Sequence, residues 1–340
     1  MSTDPILAQA PLSGMHWPTL DPFLFCAHHR DNYPAGDAKM APVASLSGRN
    51  IGSDFSGKDG FSMYHGREAP GFPQHPHRGF ETVTLARHGF IDHSDSMGAQ
   101  ARFGQGDVQW MTAGRGVVHA EMFPLVQADA PNPAELFQLW LNLPAHDKMV
   151  EPCFRMLWSE EVPRHVFTDE AGREVVLTAM AGAYGGMAPP APPPNSWAAK
   201  PENNVAIWTL NLAPGARFML PPAPAQAHRV IYLFSGESAQ VAGVEVKLPR
   251  VVQLRADAAV EVVAGGAPVE LLMLQGNPIR EPVAQQGPFV MNTQQELQQA
   301  FADFRRTRFG GWPWPKDDPT HPRSARRFAR HADGKVEERA

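Results

Sequence analysis

Short runs in which apolar and polar residues alternate recur along this chain, and turn-forming residues separate them. Thr82-Val83-Thr84-Leu85, Asp107-Val108-Gln109-Trp110, Phe137-Gln138-Leu139-Trp140-Leu141, Glu174-Val175-Val176-Leu177, Val205-Ala206-Ile207-Trp208-Thr209-Leu210 and Glu270-Leu271-Leu272-Met273-Leu274 are the clearest examples. Side chains two apart on a strand share a face, so each run reads as a β-strand. Met97-Gly98, Phe103-Gly104-Gln105-Gly106-Asp107 and Gly265-Gly266 mark turns between them. The chain holds 29 Gly and 34 Pro, spread between the apolar runs. Short strands at this spacing predict an all-β protein, an antiparallel sandwich or jelly roll.

One segment breaks the pattern. Thr293-Gln294-Gln295-Glu296 is a capping box, and Leu297, Phe301 and Phe304 follow on one helical face. A helix over 293–308 is expected, stopped by Gly310-Gly311. Trp312-Pro313-Trp314-Pro315 reads as a strap over the surface, and Ala188 to Asn195, rich in proline, as an extended connection outside any central strand.

A degenerate repeat suggests how the strands are grouped. Matching Gly89 to Gly236 sets His75 opposite Pro222, His77 opposite Pro224 and Glu81 opposite His228. Matching Asp107-Val108-Gln109-Trp110 to Val251-Val252-Gln253-Leu254 sets His119 opposite Val263 and Glu121 opposite Gly265. The second half thus keeps the strand pattern and drops the histidines, which predicts two barrels and one metal. A chain of 340 residues is long enough for two cores. The expected division is 1–145, 146–311 with the helix, and a tail over 312–340, with the passage between barrels near Pro144 to Pro152.

The formal net charge of −5 argues against direct nucleic-acid binding, which needs a clustered basic face. Arg323, Arg326, Arg327 and Arg330 do cluster, but Asp317, Asp318, Asp333, Glu337 and Glu338 flank them, so the tail reads as solvated mixed charge. Cys26 and Cys153 have no metal or redox spacing. The first residues show no secretory pattern and no apolar run has membrane-spanning length, so a cytoplasmic protein without membrane contact is expected.

The chemistry concentrates between His75 and Glu121. His75-Pro76-His77 and His119-Ala120-Glu121 each place two ligand-type side chains on one strand face, with Pro76 and Ala120 turned away. Three imidazoles and a carboxylate meeting at one point form a ligand set for a divalent first-row metal, with Fe(II) the best fit and Ni, Cu, Zn or Mn also compatible. Glu81 reads as structural or as supporting the ligands, and Arg78 as a salt-bridge residue pointing away from His77. Trp110 and Met111 read as core, while Met63 and Phe80 are candidates to line the cavity. His28, His29, His65, His88 and His93 read as surface or hydrogen-bonded histidines.

His75-Pro76-His77-Arg78-Gly79-Phe80-Glu81-Thr82-Val83-Thr84, Gly106 to Gly116 with His119-Ala120-Glu121, and Gly287-Pro288-Phe289-Val290-Met291-Asn292-Thr293 resemble the signature segments of the pirin family, within the cupin superfamily. The resemblance runs from about Leu20 to Gly310; Cys26 to Tyr64 is longer and more polar than the family pattern, and the tail beyond Gly310 is extra. It implies two cupin-type barrels, a C-terminal helix, and one iron held by His75, His77, His119 and Glu121 in the first barrel. It further implies two classes of function. One is oxygenation of a flavonol-like small molecule, of the quercetin 2,3-dioxygenase type, with Glu121 as both ligand and base. The other is iron-dependent regulation through a protein partner, such as a transcription factor or metabolic enzyme. A metal-stabilised scaffold without turnover is the third reading, since a fold does not decide a function.

Overall fold

The computed structural model describes residues 4–340. The strands are antiparallel and build two compact units, one of Ala27–Ser159 with Glu281–Ala340 and one of Met1–Cys26 with Glu160–Arg280. This differs from the expected division at 145, 146 and 311. The N-terminal strand Ile6–Pro11 pairs with Arg250–Arg255, so it belongs with the later strands. The helix and tail return to the earlier ones. Sequence order alone misled here, because the pairing partners of these end segments lie hundreds of residues away.

The unit that contains both histidine pairs is built on two sheets. One runs Cys153–Leu157, Asp107–Thr112, Phe80–His88, Asn132–Asn142, Phe23–Tyr33. The other runs Val336–Arg339, Arg327–Arg330, Gln100–Gly104, Phe90–Asp95, Val117–Met122, Gly71–His77. Every residue of Asp107–Thr112 and of Val117–Met122 is buried, so their alternation separates two packed faces rather than core from solvent. Trp110, Met111, Phe103 and Phe137 are completely buried, as expected for Trp110 and Met111.

The tail adds strands that the sequence reading did not foresee. Its charged side chains stay exposed or half-buried, but Arg327–Arg330 pairs with Gln100–Gly104 and Val336–Arg339 pairs with Arg327–Arg330, extending the sheet that carries the histidines. The reason is a buried ion pair that charge counting could not see. Asp92 accepts from Arg102 Nε and Nη2 at 2.6 and 2.7 Å, and from the His321 amide at 2.7 Å. Arg102 in turn donates to the carbonyls of His321, Pro322 and Ala325. A guanidinium taken from water must have its donors satisfied, and the tail backbone satisfies them.

The helix spans Gln294–Thr307 with the expected capping box at Thr293 and Glu296. It ends before the glycines, because Arg308 itself takes the left-handed conformation (φ 49°). Leu297 and Ala300 pack on Ala284, Phe289 and Met291. The longer segment after Cys26 is ordered by a polar core of its own: Asp31 accepts from the Ser62 amide and from the Tyr64 hydroxyl, and Arg49 pairs with Asp54 at 2.9 Å.

The other unit contains a seven-stranded sheet, ordered Ile6–Pro11, Arg250–Arg255, His228–Ser235, Val269–Gly276, Ala206–Leu212, Glu174–Ala181, Arg164–Thr168. A four-stranded sheet accompanies it: Arg217–Leu220, Val260–Ala264, Ser238–Val241, Val244–Lys247. The repeat matches these strands to those of the first unit, His228–Ser235 to Phe80–His88 and Val260–Ala264 to Val117–Met122. Its interior is apolar, with Val175, Leu177, Leu210, Ile231, Leu233, Leu271 and Met273 fully buried. The residue matches of the repeat do not follow this pairing: Pro222 and Pro224 lie beyond the strand Arg217–Leu220, and Val263 stands opposite Arg217. Ala188–Asn195 lies outside the strands, as expected.

Candidate metal centre

The strands Gly71–His77 and Val117–Met122 are antiparallel neighbours, and the pairing sets His75 directly opposite His119. Between Phe72 opposite Glu121 and His75 opposite His119 the register slips: Pro73 and Gln74 face the single residue Ala120. This β-bulge adds one residue and turns the following side chains, the usual effect of a bulge beside a functional site. As a result one ring nitrogen from each of His75, His77 and His119 lies within 4.8 Å of the others. The ring centroids are 4.4 Å apart for His75 and His119, 4.8 Å for His75 and His77, and 4.9 Å for His77 and His119.

His77 and His119 are buried, and His75 is partly exposed. Burial disfavours the charged imidazolium. It pushes His75 down to about 4, and His77 and His119 well below the usual histidine value. All three rings are therefore neutral near pH 7 and offer lone pairs rather than positive charge. The Pro73 carbonyl lies 2.9 Å from His75 Nδ1, which favours the tautomer that leaves Nε2 free to ligate. Neither ring nitrogen of the buried His119 has a hydrogen-bond partner. Three neutral imidazoles facing one another around an unpartnered nitrogen fit a divalent cation, which would supply the missing bond.

Glu121 stands next to this trio rather than within it. Its Oε2 is 3.7 Å from His119 Nε2, but it also accepts from Gln138 Nε2 at 2.8 Å, while Oε1 accepts from the Thr84 hydroxyl at 3.3 Å. Burial raises its affinity for a proton. The structure thus gathers three of the four expected ligands closely and sets the fourth at their edge, held by two side chains that the sequence reading did not single out. Gln138 carried a signal, being a lone polar residue inside the apolar run Phe137–Leu141.

The neighbours sort cleanly by strand parity. Thr84 faces Glu121, so Glu81, an odd number of residues away, points to the other side, where it accepts from the Thr112 hydroxyl at 2.6 Å. Its role is structural. Arg78 pairs with Asp303 of the helix at 2.9 Å, donates to the Arg115 carbonyl and lies over the Phe309 ring, away from the histidines. Phe80 does wall the site: its ring is 5.1 Å from His77 and 4.2 Å from Trp140. Met63 is buried and its amide donates to Asp54. His93 is completely buried, 5.5 Å from His119 by ring centroid and 3.1 Å from the Asp95 carboxylate. His93-x-Asp95 repeats the spacing of His119-x-Glu121, a signal that could have placed it beside the site. Phe55 and Tyr64, from the longer segment, and the adjoining His65 pack around Phe72, whose ring approaches His75 at 6.3 Å.

Family models match both units: that of pirin covers residues 12–141, and that of the pirin C-terminal cupin domain covers 207–310. The chain belongs to the pirin family. Human pirin is 35% identical over 270 residues, 74% of this chain and 81% of its own. A Pseudomonas aeruginosa relative, provisionally named a quercetin 2,3-dioxygenase, is 36% identical over 258 residues, 75% of this chain and 84% of its own. Among solved structures, a quercetin 2,3-dioxygenase of Acinetobacter baumannii superposes with a TM-score of 0.71 at 28% identity, over 90% of this chain and 98% of that one. The two barrels of this pirin are therefore cupin barrels, and the trio of histidines marks a candidate metal site in one of them. No helix among the described residues is long and apolar enough to cross a membrane.

Proposed function

We propose that this pirin holds one divalent first-row metal ion, Fe(II) in the reduced cell, on His75, His77, His119 and Glu121, and uses it to oxygenate a flavonol-like small molecule. The observation that carries the reading is the convergence of three neutral imidazoles, two of them buried, with both ring nitrogens of His119 unpartnered. The relatives named for quercetin 2,3-dioxygenase support the substrate class. A bound metal would supply Lewis acidity and redox capacity toward O2 and an enolic oxygen. The protein supplies the rest. Phe80 and Trp140 offer aromatic faces beside His77 against which a planar substrate can pack. Glu121, buried and drawn toward the protonated state, can take the proton of a substrate hydroxyl at Oε2, with Gln138 and Thr84 keeping the carboxylate oriented.

Metal analysis and an oxygen electrode test this reading. Iron-loaded protein should contain one iron per chain, consume O2 with quercetin and release carbon monoxide, and His75→Ala should abolish all three. A full metal site with no turnover across flavonols and other enediols would overturn the oxygenase and leave the iron-dependent regulator, whose partner would then be a protein.

A further inference from the structure

The tail beyond residue 310 lies outside the family models, yet it reaches the strand that carries His75. Its point of contact is the bulge. Pro73 has no N–H, and the Gln74 amide, displaced from the ladder, donates to the Asp317 carbonyl at 2.7 Å. The Gln74 side chain completes a second bond, Nε2 to Asp317 Oδ1 at 2.6 Å. Asp317 thus takes the place of a ladder partner for the residue between Pro73, which accepts from His75 Nδ1, and His75 itself.

Asp317 is held on both sides. Before it, Trp314 Nε1 donates at 2.9 Å to the carbonyl of Asp95, the residue opposite His119. Trp312 Nε1 closes the turn onto the Lys316 carbonyl at 2.7 Å. After it, the Asp92–Arg102 ion pair grips the backbone of His321, Pro322 and Ala325. The tail therefore contacts Gly71–His77 and Phe90–Asp95, the two strands that flank the His119 strand, and His75, the trio's least buried member, sits where the tail meets the bulge.

We propose that Asp317 is a positioning residue for His75: while its carbonyl holds the Gln74 amide, its carboxylate, by accepting from Gln74 Nε2, fixes the bulge, and so the direction of the His75 ring, before metal arrives. The proposal rests on His75 being a metal ligand. Without this contact the bulge has more conformations to lose on binding, and affinity falls by the worth of the lost hydrogen bond, roughly threefold to tenfold.

The test is a titration of the full chain with Co(II), read by affinity and by the visible d–d spectrum, which reports ligand geometry. Asp317 is exposed, so substituting it leaves the fold intact. Asp317→Ala and Gln74→Ala should each weaken Co(II) binding roughly threefold to tenfold and alter the spectrum, and the double variant should be no worse than either single one. Asp317→Asn, which keeps Oδ1 as the acceptor, should restore both. If Asn behaves like Ala, the effect is the loss of a negative charge and the proposal fails. If all variants match the wild type, the contact is merely structural and the proposal fails while the metal site stands. A wild-type chain that takes up no Co(II) would instead overturn the metal reading itself.

Discussion

At the scale of single residues, the site combines a rule that the sequence displays with placements that only pairing can reveal. His-x-His and His-x-Glu announce side chains on a common strand face, and that sufficed to choose His75, His77, His119 and Glu121. His119, with both ring nitrogens unpartnered, should be the least replaceable: His119→Ala is expected to weaken metal binding by at least about 100-fold, measured by chelator competition. Gln138→Leu removes the donor to Glu121 Oε2 and should cost about 10-fold in the same assay, with the protein still folded. The sequence could not show that Glu121 would stand at the edge of the trio. That follows from a one-residue slip between two strands, to which a same-face argument within a single strand is blind.

At the scale of elements, the turn between the histidine strand and Phe80–His88 is the tightest constraint. Gly79 has φ +86°, and a Cβ there would lie 2.0 Å from the Val290 carbonyl oxygen. A left-handed backbone beside this obstacle leaves room for glycine only. Gly79→Ala should lower stability by more than about 1 kcal/mol and weaken metal binding in parallel, checked by thermal unfolding with and without metal. The helix was legible from its capping box because caps are local; Thr293→Ala should cost about 1 kcal/mol. The strands of the tail were not legible, because its backbone is held by Asp92 and Arg102, more than 200 residues earlier.

At the scale of the whole molecule, the strand pattern and the repeat pointed to two barrels and one candidate site, while the division into units needed coordinates. Stability should also carry a pH signature from the polar core of the longer segment. Burial pushes Asp31 up to about 6, against the hydrogen bonds from Tyr64 and Ser62. The native state then holds a proton that the unfolded chain has released. The Asp31 contribution to stability therefore falls as pH rises from about 4 to about 6, with a slope on the order of 1.4 kcal/mol per pH unit, and it opposes the three neutral histidines, whose contribution in the metal-free protein rises over the same window. Asp31→Asn removes this opposing contribution, so the stability of the metal-free variant should rise more steeply with pH than that of the wild type in thermal melts recorded between about pH 4 and 7.

The path of the chain through its two units bears on how the molecule comes into being. Ile6–Pro11 pairs with Arg250–Arg255 across some 240 residues, and the histidine-bearing sheet is joined at Gln100–Gly104 by Arg327–Arg330, which is made more than 220 residues later. Each half is assembled from two separate stretches of sequence and closes only when its later stretch is present. No single cut, at 145, 159 or 280, would release an intact half, so expressing either one separately means splicing two distant stretches.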